Sequence, residues 1–164
     1  MRTIERRATA LRDAMVSAGT AGRGDTLMRG RAIIYGALSE DLGGFREVFA
    51  PGSVRLADDL LVLFGHDTRA VLGRTSAGTA RAFDDGLGIV FEVQPPDTTW
   101  ARDLGVSMAR GDIRQMSFAF RVSDDGFHYD AMLQTIVRTV YAAEVSELSI
   151  VSMPAYEATQ VSVT

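Results

Sequence analysis

The chain of 164 residues contains no cysteine and no lysine. Without cysteine it cannot form disulfides, thiolate metal sites or a cysteine nucleophile. All 17 basic residues are arginine, so a serine–lysine dyad and a Schiff-base lysine are also excluded. The missing residue types thus remove several mechanisms of covalent catalysis before any motif is considered.

Histidine, positive charge and long apolar runs are scarce. Because His66 and His128 are the only histidines, a histidine-rich metal centre would need both and carboxylates besides, and we expect no metal and no cofactor. The net charge of −4 argues against nucleic acid as a partner, since binding it requires a cationic surface. No stretch approaches the roughly 18 apolar residues of a membrane helix, so we expect a soluble intracellular protein without a membrane partner.

The N-terminal part differs from the rest of the chain. Residues 2–16 place Ile4, Ala8, Leu11 and Met15 at helical spacing, and the Gly-rich stretch SAGTAGRGD follows. The pattern predicts an amphipathic helix and flexible lead over residues 1–27, before a single domain over residues 28–164. The helix could bind an assembly partner, although packing on its own domain is the commoner outcome.

The remainder is rich in short strand-like runs punctuated by Gly, Asp and Pro. The predicted strands are Arg31 to Tyr35, Leu60 to Phe64, Ala80 to Phe83, Leu87 to Gln94, Ile113 to Val122, Leu133 to Val140 and Val145 to Ser152. Two stretches favour helix, PGSVRLADD (residues 51–59) and DTTWARDLGVSMARG (97–111), the second with Asp97 or Thr98 as cap and Gly111 as terminator. We expect a mainly β fold with peripheral helices (α+β), a small barrel of about seven strands.

Two segments offer a base and a nucleophile. In LLVLFGHD, His66 follows an apolar run and would emerge at the edge of a strand. In GDIRQMSFAF, alternation puts Ser117 on the face opposite Met116 and Phe118, which in a small barrel is the surface or a groove. Either residue alone is more often structural than catalytic.

A third segment, YAAEVSELSIVSMPAYEA, offers an acid. Strict alternation puts Glu147 and Ser149 on one face and Glu144 on the other, so only one of the two carboxylates should face a given site. The carboxylate could equally form a salt bridge to an arginine. One serine, one histidine and one acid are the groups needed for nucleophilic acyl transfer, in which the base takes the hydroxyl proton and the acid orients the base.

Four segments in this order resemble the prohead (procapsid) maturation proteases of tailed bacteriophages. They are GRAIIYGALSEDLGGFREVFAPGSV, LVLFGHDTRAVLGRTSAGTARAFDDGLGIVFEV, ARDLGVSMARGDIRQMSFAFRV and EVSELSIVSMPAYEA, and the likeness covers roughly residues 28–160. The chain has Gly65 where the family often has Asn before the histidine, and Ala119 where it often has Gly.

The resemblance implies a serine endopeptidase related in fold to the herpesvirus assembly proteases. By motif, the general base is His66 and the nucleophile is Ser117, with Glu147 as the best match to the third member and Glu144 and His128 as weaker candidates. The implied substrates are the scaffold protein or the scaffold-like segment of the major capsid protein, and the enzyme itself, inside the procapsid in the host cytoplasm. Self-association is a further expectation.

Two other functions fit parts of this pattern. A catalytically silent capsid assembly or scaffolding factor could keep the fold without proteolysis, although the presence of both Ser117 and His66 counts against it. A host hydrolase with the same three groups is a weaker alternative, because the residues around Ser117 do not form the G-x-S-x-G elbow of such enzymes.

Overall fold

The computed structural model describes residues 3–8, 16–21 and 25–152. These residues are mainly β, with 60% in strands and 9% in helix. The elements of these ranges are β1 Glu5–Ala8, β2 Val16–Ala21, β3 Asp25–Ile34, β4 Phe45–Phe49, β5 Val54–Phe64, β6 Asp67–Arg74, β7 Ala80–Asp84, β8 Gly88–Val93, α1 Thr99–Arg110, β9 Gln115–Asp130 and β10 Thr135–Val151.

The strands form two sheets. The larger has the order β1-β9-β10-β5-β6 and curls into a half-barrel, and the smaller is antiparallel with the order β2-β3-β8-β7. The long strand β10 pairs antiparallel with β9 and lies parallel to β4 along its first half and to β5 along its second half. As a result, β9, β10 and β5 are neighbours although they are far apart in the chain.

Apolar side chains from both sheets make one core. The aromatic rings of Phe49, Phe118 and Phe120 pack with centroids 5.2 to 5.4 Å apart, which ties β4 to the underside of β9. The largest fully buried side chains include Leu60, Leu63, Leu72, Ile89, Phe91, Met116, Leu148 and Ile150. Since Met116 and Phe118 are held in this core, the backbone between them is held as well.

The helix predicted from DTTWARDLGVSMARG is confirmed. Helix α1 buries Ala101, Leu104 and Met108, which lie on one face at spacings of three and four residues. It ends at Gly111, whose left-handed φ of 82° lets its N–H bond to the carbonyl of Met108.

The helical turn predicted over residues 51–59 is wrong. Strand β5 begins at Val54 and pairs in parallel with β10, where Ala143 lies opposite Val54. Pairing with a neighbouring strand outweighs the weak local preference that Pro51 and the following residues have for a helix.

The N-terminal helix is also wrong where the structure describes it. Glu5–Ala8 is a strand that pairs antiparallel with β9, and Val16–Ala21 is a strand that pairs with β3, while residues 9–15 lie outside the described ranges. The edge of β9 offers unpaired N–H and C=O groups, and bonding to them favours the extended form. The division into a lead over residues 1–27 and a domain over residues 28–164 stays a prediction, although β3 crosses that boundary.

The strand count exceeds the expected number. The described ranges contain ten strands in two sheets. Four of them, β1, β2, β4 and β6, were not predicted as strands, whereas the two strands predicted over Leu133 to Val140 and Val145 to Ser152 form the single strand β10. A closed barrel of about seven strands and the relation to the herpesvirus proteases are not confirmed.

Gly88 is required where β8 begins beside β3. A Cβ at this position would lie 1.9 Å from the backbone carbonyl oxygen of Ile33. We expect Gly88→Ala to lower the free energy of unfolding by about 2–4 kcal/mol, measured by urea denaturation. The control is Gly126→Ala, whose Cβ would meet only the ring of the exposed Tyr141, at 3.2 Å, and should change stability by less than about 1 kcal/mol. Equal losses in both variants would contradict this account.

Candidate active site

Three neighbouring strands bring the candidate residues together. Ser117 lies on β9, Glu147 and Ser149 lie on β10, and His66 lies in the turn that follows β5. Ser149 is directly opposite Ser117 in the β9–β10 register, and Phe64 at the end of β5 is opposite Ile150. The order of the strands therefore places an imidazole, a carboxylate and a hydroxyl side by side.

His66 occupies a two-residue hairpin loop. Phe64 pairs with Asp67 across the loop, and both Gly65 (φ 63°) and His66 (φ 59°) are left-handed, as a type I′ turn requires. A left-handed conformation costs a non-glycine residue about 1 kcal/mol or more. Two bonds to β10 hold the loop: Gly65 N–H donates to the carbonyl of Ile150 (2.9 Å), and His66 N–H donates to Ser149 Oγ (3.2 Å).

A chain of hydrogen bonds runs through the imidazole. His66 Nε2 lies 2.7 Å from Ser117 Oγ, and His66 Nδ1 lies 2.5 Å from Glu147 Oε1. An ionised carboxylate only accepts hydrogen bonds, so Nδ1 carries the proton that faces Glu147. In the neutral ring, Nε2 is then the nitrogen that can take a proton from the hydroxyl.

Ser117 is fully buried, with no exposed surface. Its hydroxyl donates a hydrogen bond of 2.9 Å to the backbone carbonyl of Arg7, because β1 lies along the edge of β9. Met116 and Phe118 are buried on the opposite face as predicted. Ser117 was expected at the surface or in a groove, and it is not at the surface because strand β1 covers this position.

The chain matches a protein-family model. The model of the caudovirus prohead serine proteases matches residues 13–164 of the 164. The chain belongs to this family. No curated protein and no solved structure matches it. Membership indicates a serine protease with a role in capsid maturation, and strand β1 precedes the matched segment.

In this prohead protease family member, Glu147 is nearly buried and remains charged. Burial acts to raise the pKa of Glu147, but hydrogen bonds from His66 and Ser149 outweigh it and hold that pKa below the usual glutamate value. Ser149 Oγ donates to Glu147 Oε1 at 2.7 Å. The carboxylate is therefore fixed in place by a neighbouring hydroxyl as well as by the imidazole.

The weaker candidates for the third member lie elsewhere. The side chain of Glu144 is 42% exposed and faces Arg55 at 3.4 Å. His128 is exposed and lies 11 residues further along β9, roughly 35 Å from Ser117. Of the acids and histidines considered, the structure brings only Glu147 to His66.

A β-bulge changes which residues share a face of β10. The register shifts between Val145 and Glu147, so Glu144 lies opposite Arg121 and Glu147 lies opposite Ala119. Arg121, Ala119 and Ser117 alternate along one face of β9, which puts both carboxylates on that face. The expectation that only one of them could share a face with the site was wrong for this reason.

Sequence reasoning missed several residues around Ser117. Alternation put Ser149 on the face of Glu147, but the sequence pattern indicated no role for it there. Arg7, the buried Glu47 with which it pairs, and Arg138, which also pairs with Glu47, had no local signal, since they come from three distant segments.

The described ranges contain no group of three or more His, Asp or Glu side chains placed to hold a metal ion. Helix α1, the one helix of those ranges, is not long and apolar enough to cross a membrane.

Proposed function

We propose that this chain is a serine endopeptidase of procapsid maturation in which Ser117 is the nucleophile, His66 the general base and Glu147 the orienting acid. The observation that carries the proposal is the 2.7 Å contact between His66 Nε2 and Ser117 Oγ, with Glu147 on the other ring nitrogen. This arrangement fits the serine chemistry for which the family is named.

The reaction follows from the geometry. Ser117 Oγ attacks the carbonyl carbon of the scissile bond while His66 Nε2 takes the hydroxyl proton, and the adjacent carboxylate of Glu147 stabilises the imidazolium. His66 then gives that proton to the leaving amine, so the peptide C–N bond breaks and an acyl-enzyme remains on Ser117. A water molecule, deprotonated by His66, releases the acid and restores the hydroxyl.

The proposed substrates are the scaffold protein or the scaffold-like segment of the major capsid protein, and the protease itself. Cleavage would occur inside the procapsid, in the host cytoplasm. Family membership supports this setting, and a nucleophile on a strand one position from the sheet edge suits extended peptide segments, which bind by adding a strand.

The alternative is a catalytically silent assembly factor on the same fold. Such a factor has no need of an imidazole in a left-handed turn, a conformation with an energetic cost, or of a buried carboxylate on its Nδ1. These features favour the protease.

Co-expression with the major capsid protein from the same genome tests the proposal. We expect new capsid N-termini, identified by mass spectrometry, with the unmodified chain and with Ser123→Ala, and none with Ser117→Ala. Ser123 is the matched control because it is an exposed serine on the same strand, bonded to the carbonyl of Ala142. Assembled particles with uncut capsid protein in all three cultures would favour the assembly factor instead.

A further inference from the structure

Strand β1 lies where a substrate strand would bind. It adds to the edge of β9 in antiparallel pairing, with Ala8 opposite Ser117 and Arg7 opposite Phe118. The carbonyl oxygen of Arg7 accepts the hydrogen bond from Ser117 Oγ at 2.9 Å. An extended segment on a sheet edge, with one carbonyl at the nucleophile, is the geometry in which a peptide is presented for cleavage.

The side chain of Arg7 enters an acidic pocket. Its Nε lies 2.9 Å from Glu47 Oε1, off the line of the N–H bond, and its Nη2 lies 3.4 Å from Glu47 Oε2. The guanidinium also stacks 5.4 Å from the ring centre of Phe120. Glu47 is only 2% exposed, so this carboxylate has little water to stabilise its charge.

The side chain of Glu5, two residues earlier, is held by a buried arginine. Arg138 makes a bidentate pair with Glu5, with distances of 2.7 and 3.0 Å. The same guanidinium bonds to Glu47 at 2.9 Å and to Asp125 at 2.7 Å. The part of the pocket outside β1 therefore holds one cation and two carboxylates. Strand β1 adds Arg7, which faces Glu47 and also pairs with Glu5 at 2.6 Å, and Glu5, which faces Arg138, so each added charge lies against an opposite one.

The pKa values of the cluster agree with this reading. Burial raises the pKa of Glu47, and the charges of Arg7 and Arg138 act against that rise. Burial also acts to raise the pKa of Glu5, but the hydrogen bonds and charges of Arg138 and Arg7 outweigh burial and lower that pKa. A charged Glu47 therefore depends on a cationic side chain in the position of Arg7.

We propose that β1 is a substrate segment already bound: the protease recognises an arginine through Glu47 and an acidic residue two positions earlier through Arg138, and it cuts its own Arg7–Ala8 bond. This inference rests on the proposed function. Ser117 Oγ would attack the carbonyl carbon of Arg7, His66 would carry the hydroxyl proton to the nitrogen of Ala8, and water would then release Arg7 from Ser117 as a carboxylate.

The structure with β1 bound corresponds to the enzyme–substrate complex before cleavage. Ser117 has one hydroxyl proton, and a carbonyl can only accept, so the bond to Arg7 uses that proton. The hydroxyl must turn this proton towards His66 Nε2 before Oγ can attack. Until the strand is cut and leaves, it also covers Ser117 against other substrates.

The first experiment weighs the purified full chain by mass spectrometry over time. We expect loss of residues 1–7 from the unmodified protein and from Thr3→Ala, an exposed residue that precedes β1. The cut should be absent with Ser117→Ala and slowed about a hundredfold or more with Arg7→Ala, which leaves the buried Glu47 with Arg138 alone. An unmodified chain that keeps residues 1–7 would overturn the inference.

The second experiment leaves the enzyme unchanged and varies a peptide, RTIERRATALR, which corresponds to residues 2–12. Cleavage should fall after the arginine that corresponds to Arg7. It should slow about a hundredfold with the Arg7→Ala peptide and about tenfold with Glu5→Ala, and stay within about threefold with Thr3→Ala, because Thr3 is exposed and precedes β1. The Ser117→Ala protein, prepared in parallel, controls for contaminating proteases.

The two proposals fail in different ways. If the capsid protein is cut in a Ser117-dependent manner while the peptide and residues 1–7 stay intact, the inference is wrong and the proposed function stands. Equal rates for the Arg7→Ala and Thr3→Ala peptides would also reject recognition by Glu47. If neither capsid protein nor peptide is cut in a Ser117-dependent manner, both proposals fail.

Discussion

Replacing Ser117 or His66 with alanine should each lower kcat/KM for peptide cleavage by about 10⁴-fold or more, and replacing both should lower it little further. Each residue depends on the other, since the Ser117 hydroxyl is a weak nucleophile until the imidazole of His66, 2.7 Å away, takes its proton. Once one partner is gone, the second has no remaining part in the reaction. The losses therefore coincide instead of multiplying.

The measurement is the cleavage rate of a fixed peptide by the three variants beside the unmodified enzyme. His128→Ala is the matched control for histidine, because His128 is exposed on the distal part of β9, and Ser123→Ala is the matched control for serine. Far-UV circular dichroism should be the same for all of them. Two single losses that multiply in the double variant would mean that Ser117 and His66 act independently, which contradicts the proposed mechanism.

The residues of the site could be predicted because each stands in a local pattern. His66 follows an apolar run, Ser117 lies inside an alternating strand, and Glu147 begins the pattern E-x-S in a strand-like segment. These three side chains come together because β9, β10 and β5 are neighbours in the sheet. The family resemblance indicated that the three residues form one site, which their spacing in the sequence could not show. The helix over 97–111 was predictable for the same local reason, since its apolar spacing and terminal glycine coincide.

The rest of the site depends on contacts between distant segments. Residues 5–8 form a strand because β9 offers an open edge, and their own spacing favoured a helix. The bulge between Val145 and Glu147 is set by the pairing of β10, so strict alternation assigned Glu144 to the wrong face. Glu47 and Arg138 come from β4 and β10, and only the parallel pairing of these strands joins them.

Replacing Glu147 with glutamine should lower kcat by about 10³- to 10⁴-fold with little change in KM, because the amide can neither stabilise the imidazolium nor hold the ring in the required tautomer. Ser149→Ala removes one neutral hydrogen bond to the same carboxylate and leaves its charge, so its loss should be about tenfold or less. Comparing the losses in kcat of the two variants separates the effect of the charge of Glu147 from the effect of its positioning by Ser149.

The pH profile of kcat/KM distinguishes this role from a structural one. The pKa of Glu147 is lowered, so its carboxylate is ionised above that value and its support of the imidazolium is lost only as the pH falls below the usual glutamate range. Glutamine does not titrate, so the profile of Glu147→Gln should lack the part of the acid limb that protonation of Glu147 causes. A slower variant with an unchanged acid limb would mean that Glu147 supports the fold of β10 rather than the proton transfer.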